Sequence, residues 1–319
     1  MPQILFIAST RIGDAVLSTG ALAYAQTLAP GAGVTIACGH LPAPIFRATP
    51  NLKALHVLTK RRGDAHWFEL WKALSGERFD LAIDLRGTLV TYALHAKKRI
   101  VHRKRAEMRH KVEELSALVG APKAVAPKLH HDDQARADAR GALDLSGPLL
   151  VLGAGANFIG KRWRPDRFAA VARRLTAPSG PLAGAAVALL GGPGDETIAH
   201  EIVESLDADG VRAHDLTGKL DLLACGAFLE RATLFIGNDS GLMHIAAAAG
   251  APTLGLFGPS DERIYGPWGA RARAVRGKSY DAIMAQGPLT AVDRTLMDDL
   301  GVDAVEAAAV QLLQAGGLA

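Results

Sequence analysis

The chain has 319 residues, long for one ordinary domain and comfortable for two. Hydrophobic residues at 49% and charged residues at 21% exclude wholesale disorder, and only two cysteines, Cys38 and Cys225, leave no basis for a disulfide framework or a cysteine-rich metal site. The net charge of +4 hides an asymmetry: residues 1–147 hold 21 Lys+Arg against 13 Asp+Glu, or +8, which leaves −4 for 148–319. Two domains with different partners are the expectation.

The first element predicted is a strand over Ile4–Ala8. It lacks the basic flank and length of a signal peptide, and no uncharged apolar run reaches the 18 or so residues of a membrane span, so a cytoplasmic protein is expected. A helix should follow from about Asp14 to Leu28, where Leu17, Ala21, Tyr24 and Leu28 recur at helical spacing. Further strands are predicted at Val34–Cys38, Leu55–Leu58, Leu81–Leu85 and Arg99–His102. In the second half they fall at Leu149–Leu152, Ala185–Leu190, Leu234–Gly237 and Thr253–Phe257, with helices at 165–175, 195–206, 221–231 and 240–249. The fourth of these helices should close at Gly250 with Pro252 beyond, and Val302, Val305, Ala308 and Leu312 predict a final amphipathic helix.

Strand and helix in alternation argue an α/β fold of parallel sheets covered on both faces. The Ser146-Gly147-Pro148 break suggests domains of 1–147 and 148–319, two Rossmann-like units facing a central cleft with ligands at the carboxyl ends of the strands.

Three loops fit that placement. In Leu234–His244 a buried strand ends in Gly237-Asn238-Asp239-Ser240-Gly241, where Ser240 can cap a helix whose free N–H groups and dipole suit a phosphate. Gly241 allows close approach, His244 adds a donor, and Asp239 would repel phosphate, so its work is to take sugar hydroxyls or brace the loop. An ordinary capped helix fits the same residues equally well. The second loop, Gly153-Ala154-Gly155-Ala156-Asn157-Phe158-Ile159-Gly160-Lys161-Arg162-Trp163-Arg164-Pro165, brings Lys161 and Arg162 to the same edge, charge that a diphosphate leaving group needs where no metal supplies it. Its glycine pattern lacks the third glycine of a dinucleotide fingerprint, Phe158 standing in that place. The third, Ser9-Thr10-Arg11-Ile12-Gly13-Asp14, puts Asp14 at a helix start, as a general base or as a plain N-cap. The basic residues Lys60, Arg61, Arg62 and Arg86, with the run 97–111, could hold an acidic substrate or an anionic lipid surface, and the shortage of interleaved aromatics disfavours nucleic acid.

Taken together, Arg11-Ile12-Gly13-Asp14 with Ser18-Thr19, Gly155 through Pro165, and Gly237–His244 with Leu256-Phe257-Gly258-Pro259 resemble glycosyltransferase family 9, the ADP-heptose:lipopolysaccharide heptosyltransferases, over nearly the whole chain. The resemblance implies a GT-B fold, with a C-terminal helix that packs back on the N-terminal domain. It implies inverting transfer of a heptose or related sugar from an ADP-sugar to a lipopolysaccharide inner-core hydroxyl, with no metal and no cofactor. The N-terminal domain would bind the acceptor and the C-terminal domain the nucleotide sugar. Asp14 matches the family's general base, and Lys161 the lysine on the diphosphate. Asp239, Ser240, Gly241, Leu242 and His244 match its donor loop, and Glu196 the acid at the nucleoside, while Asn157 and Leu220 fall at donor-site positions. Arg11, Lys60, Arg61, Arg62 and Arg86 would meet the anionic lipid A–core acceptor, and an acceptor anchored in the inner membrane implies peripheral attachment at its cytoplasmic face. A nicotinamide-dependent oxidoreductase and a non-catalytic binder of anionic lipid or nucleic acid are the alternatives.

Overall fold

The computed structural model describes residues 1–60, 64–103, 108–144, 147–289 and 292–317. They form two compact units that divide at Asp132/Asp133.

The first unit runs β1 (Gln3–Ile7), α1 (Ile12–Leu28), β2 (Gly33–Gly39), α2 (Ala43–Phe46), β3 (Leu52–Leu58), α3 (Ala65–Leu74), β4 (Arg78–Asp84), β5 (His95–Val101) and α4 (Lys111–Leu118). Its five strands are parallel in the order β3-β2-β1-β4-β5. The apolar runs Ile4–Ile7 and Val34–Cys38 are buried on both faces, which is why they sit in the middle of the sheet. Alternate residues serve two cores. Ile4, Phe6, Val34, Ile36, Leu81 and Ile83 meet α1 and α4, whereas Leu5, Ile7, Ala37 and Ala82 meet Leu70 and Leu74 of α3 with Val90 and Leu94. α1 is buried on most of its circumference from Ala15 to Ala25, while Leu28, expected on its core stripe, is 54% exposed. The chain after α4 crosses α1 at Gly20, where a Cβ would stand 2.3 Å from Val125 O, and Lys128 N–H donates to Thr19 Oγ1 at 2.9 Å.

The second unit runs α5 (Asp133–Ala142), β6 (Leu149–Gly153), α6 (Pro165–Thr176), β7 (Ala186–Leu189), α7 (Glu196–Asp207), β8 (Ala213–Asp215), α8 (Leu222–Leu229), β9 (Leu234–Asn238), α9 (Gly241–Ala248), β10 (Thr253–Phe257), α10 (Glu262–Tyr265), β11 (Ala272–Arg276), α11 (Tyr280–Met284) and α12 (Val302–Ala315). Its six parallel strands are ordered β11-β10-β9-β6-β7-β8. One face carries α6, α7 and α12, whose Phe168, Val171, Ile202, Leu206, Val305 and Leu313 close on Leu150, Leu152, Ile236 and Leu254. α9 ends as its glycine predicts: Gly250 takes φ +84° and Ala251 N–H returns to Ala246 O.

Two helices show how the second unit closes. The compact units divide before α5, ahead of the Ser146-Gly147-Pro148 break, because α5 packs on α8 with Ala135 and Ala139 buried and Arg231 donating to Ala139 O and Leu143 O. Within its own unit the final helix α12 packs on α6, β10 and β11, where its apolar stripe completes the core over Leu254 and Leu256. Among the described residues no helix is long and apolar enough to cross a membrane.

Candidate active site

In each sheet the strand order reverses once, at β1/β4 in the first unit and at β6/β9 in the second. Two loops that leave in opposite directions open a crevice at the carboxyl ends of such a pair. Asp14, Arg86, Lys161 and Asp239, singled out in the sequence, follow those strands.

In the second unit, β9 ends in Asn238, which is fully buried. Its Nδ2 donates to Ala154 O at 2.6 Å and its Oδ1 accepts from Trp163 N–H at 3.0 Å, so one amide fixes both ends of the loop that follows β6. The turn Ile159–Lys161 carries Lys161 toward β9, where Nζ meets Asp239 Oδ2 at 2.6 Å. Asp239 is 6% exposed, and its backbone N–H donates to Leu256 O. Through this ion pair Asp239 braces the loop against Lys161. An ammonium has three N–H donors, so two on Lys161 remain for a ligand.

Ser240 occupies the N-cap position of α9 with extended backbone, yet its side chain caps nothing, and Oγ is buried with no hydrogen-bond partner. By contrast Asp221 caps α8 through Leu223 N–H and Ala224 N–H. The start of α9 therefore presents N–H groups and an unused hydroxyl beside a lysine, a constellation suited to an anion. Gly241 and Leu242 are half-buried at this start, and His244 is buried one turn in.

The remaining donor-side residues lie on the neighbouring strand ends. Asn157 is exposed in the loop after β6. Glu196, exposed at the first position of α7, accepts Gly194 N–H through Oε2 at 2.7 Å. Leu220 stands between β8 and α8, its carbonyl facing Cys225 Sγ at 3.7 Å. The acid that closes on the β6 loop is Asp195, the residue before Glu196. A Cβ on Gly155 would lie 2.1 Å from Asp195 Oδ2, and Arg162 Nη2 is 3.9 Å from Oδ1. Burial pushes the Asp195 carboxyl above its ordinary range, against the Gly192 N–H and the Arg162 charge, which pull it down.

In the first unit Asp14 is the third residue of α1, half-buried. The N-cap position belongs to Arg11, whose exposed side chain makes no cap, so the plain capping role for Asp14 is not what the structure adopts. Ser9 Oγ faces Asp14 Oδ2 at 3.5 Å and accepts Arg11 N–H at 3.2 Å. At the end of β4, which pairs Asp84 with Ile7, the fully buried Asp84 accepts from Arg86 N–H, Thr88 N–H and Thr88 Oγ1 at 2.8, 2.8 and 2.6 Å. That carboxylate shapes the loop carrying Arg86, whose guanidinium lies over the Trp67 ring at 5.0 Å. Lys60 is exposed just past β3, and Arg61 and Arg62 lie outside the described residues. The basic run is not one patch. Arg99 donates to the carbonyls of Thr91, Leu94 and Ala96, Lys97 pairs with Asp80, and Lys111 pairs with Glu114.

Asp84, Asn238 and Asp195 are functional candidates that sequence reasoning passed over. The signal available for the first two was a polar side chain closing an apolar strand, a place where a buried group must find partners.

This arrangement of two parallel sheets recurs in solved structures. E. coli ADP-heptose lps heptosyltransferase II superimposes with a TM-score of 0.77 at 20% identity, over 99% of both chains. The glycosyl transferase family 9 structure from Veillonella parvula gives 0.80 at 22%, over 98% of this chain and 97% of that one. The fold is therefore GT-B. In sequence, lipopolysaccharide heptosyltransferase 3 of Escherichia coli is 28% identical over 290 residues, 80% of this chain and 83% of that protein. Lipooligosaccharide heptosyltransferase 2 of Haemophilus influenzae is 26% identical over 312 residues, 86% and 88% of the two. Residues 67–286 match the sequence model of glycosyltransferase family 9 (heptosyltransferase), and the chain belongs to that family.

Proposed function

We propose that this glycosyltransferase moves a heptose from an ADP-heptose to a hydroxyl of the lipopolysaccharide inner core, inverting the anomeric carbon without a metal. The names borne by its sequence relatives support the donor and acceptor classes. The observation that carries the reading is Lys161, held 2.6 Å from Asp239 beside the uncapped start of α9.

In this mechanism Asp14 takes the proton of the acceptor hydroxyl as its oxygen attacks the anomeric carbon. The bond from that carbon to the β-phosphate oxygen breaks, and the pair of electrons leaves with ADP. Charge grows on the diphosphate in the transition state, where Lys161 Nζ, the first N–H groups of α9 and Ser240 Oγ meet it with dipoles already oriented. Gly241 admits the phosphate to the backbone, Asp239 releases part of its hold on Lys161 to sugar hydroxyls, and His244 supports the loop. Leu242, Leu220, Asn157 and Glu196 line the nucleotide's side of the donor site. The first unit, with Arg11, Lys60, Arg61, Arg62 and Arg86, receives the phosphorylated, carboxylate-bearing acceptor. A lipid-anchored acceptor places the enzyme at the cytoplasmic face of the inner membrane.

The test is calorimetric titration with ADP in magnesium-free buffer. Wild type should bind, and Lys161→Ala should bind about 10- to 100-fold more weakly, the loss expected for one charged hydrogen-bond donor at about 1.5–3 kcal/mol. A folded wild type that does not bind ADP overturns the reading.

A further inference from the structure

We propose that the face of the first unit built from α3 and the segment after β4 docks on an anionic lipid bilayer. α3 and this segment form one thin layer over the sheet. Leu70, Leu74, Val90 and Leu94 turn inward, with Trp67 and Trp71 packed against them. On the outer side stand Leu89, 82% exposed, Phe68 at 63% and Tyr92 at 54%. One exposed large apolar side chain is ordinary, but several gathered on two touching elements mark a surface that is covered in use.

The layer is fixed rather than loose. Trp71 Nε1 donates to Ala93 O at 3.2 Å, tying α3 to the segment, and the Trp71 ring lies 5.5 Å from that of Phe68. Arg99 secures the same segment from the sheet edge by donating to the carbonyls of Thr91, Leu94 and Ala96. Leu89 and Tyr92 are thus presented on a braced backbone, with no ordering left to be done on docking. Two of the chain's four tryptophans lie in this layer, and rings with one apolar body and one polar handle suit the water–lipid boundary.

Charge selects the bilayer over a second copy of this chain. Among the described residues of this layer the exposed cations are Lys72 and Arg86. Lys72 lies one helical turn from Phe68, and Arg86 covers Trp67. The nearby acids are Asp64 and Glu69, and Glu69 is engaged by a neighbouring group. A basic rim around exposed aromatics would repel its own copy and attract anionic headgroups, each cation near such a surface contributing about 1 kcal/mol. Apolar side chains then reach about 5–10 Å past the headgroups.

The inference rests on the lipid-anchored acceptor proposed above. It is tested by sedimentation with phosphatidylethanolamine vesicles containing phosphatidylglycerol, and with phosphatidylcholine vesicles as the neutral comparison. Wild type should sediment with the anionic vesicles, less so in high salt, and its tryptophan emission should be quenched by brominated lipid. The triple variant Phe68→Ser, Leu89→Ser, Tyr92→Ser should lose at least about tenfold of this binding, while its ADP titration stays as in wild type. Leu89→Ser alone, at the most exposed position, should show a partial loss should the triple variant fail to fold. Equal vesicle binding by wild type and the variants, no binding by wild type, or a wild-type dimer that the variant abolishes would each overturn the docking face. Loss of ADP binding in wild type would instead overturn the enzymatic reading, so the two failures are read separately.

Discussion

Asp14 is the residue on which the proposed chemistry turns. It sits three positions past the N-cap Arg11, too deep in α1 to cap it, and its contact with Ser9 Oγ at 3.5 Å is too long to occupy a carboxylate. Asp14→Asn keeps the shape and removes the basicity. Its kcat should fall about 10²- to 10⁴-fold with ADP affinity unchanged, the usual span for a positioned general base. Turnover at the wild-type rate would remove Asp14 from that role. At this scale residue type and place after a strand were enough to put Asp14 in the first turn of α1 and Lys161 and Asp239 in the loops after β6 and β9. The sequence was not legible where two neighbours share one chemistry. Glu196 drew the sequence-based assignment, and Asp195 beside it is the acid that packs against Gly155, because the turn that starts α7 aims the first carboxylate at the β6 loop and the second back at Gly194 N–H.

The loop after β6 shows what the elements require of one another. It is squeezed between the start of α7 and the end of β9, and Gly155 is the place where Asp195 leaves no room for a side chain. Gly155→Ala should displace Asp195 from Gly192 N–H and Arg162, cost about 1–3 kcal/mol of stability as an overpacked site, and weaken ADP binding by moving Lys161. Thermal unfolding with and without ADP measures both effects, and an unchanged transition would show that the loop is slack. Element prediction succeeded for the apolar strands and for helices with a clear stripe, so that β10 spans Thr253–Phe257 as expected. It omitted β8 and β11. Ala213–Asp215 has three residues with two polar side chains, and Ala272–Arg276 carries two arginines in five residues, since both are sheet edges with little apolar surface to reveal them. α3 escaped for the opposite reason. Its aromatic residues face both the core and the outside, which blurs the helical stripe.

For the whole molecule, composition and charge already divided the chain, and the division at Asp132 sharpens the contrast: residues 1–132 hold 19 Lys+Arg against 10 Asp+Glu, or +9, and 133–319 hold 17 against 22, or −5. What the sequence concealed was the ownership of α5. Its residues are polar and alanine-rich, with mean hydropathy too low to announce a buried face, and they precede a glycine break that reads as a linker. Yet α8 is apolar on nearly every side, with Leu223, Ala224, Cys225, Ala227 and Phe228 all buried, and α5 is part of its cover. The place to cut the chain is therefore ahead of the helix rather than at the break. Residues 133–319 expressed alone should be soluble and retain the ADP titration of the full chain. Residues 148–319, stripped of α5, should expose the α8 flank, lose the Arg231 bonds to Ala139 and Leu143, and precipitate. A tidy truncation at the glycine would amputate the second unit's own wall.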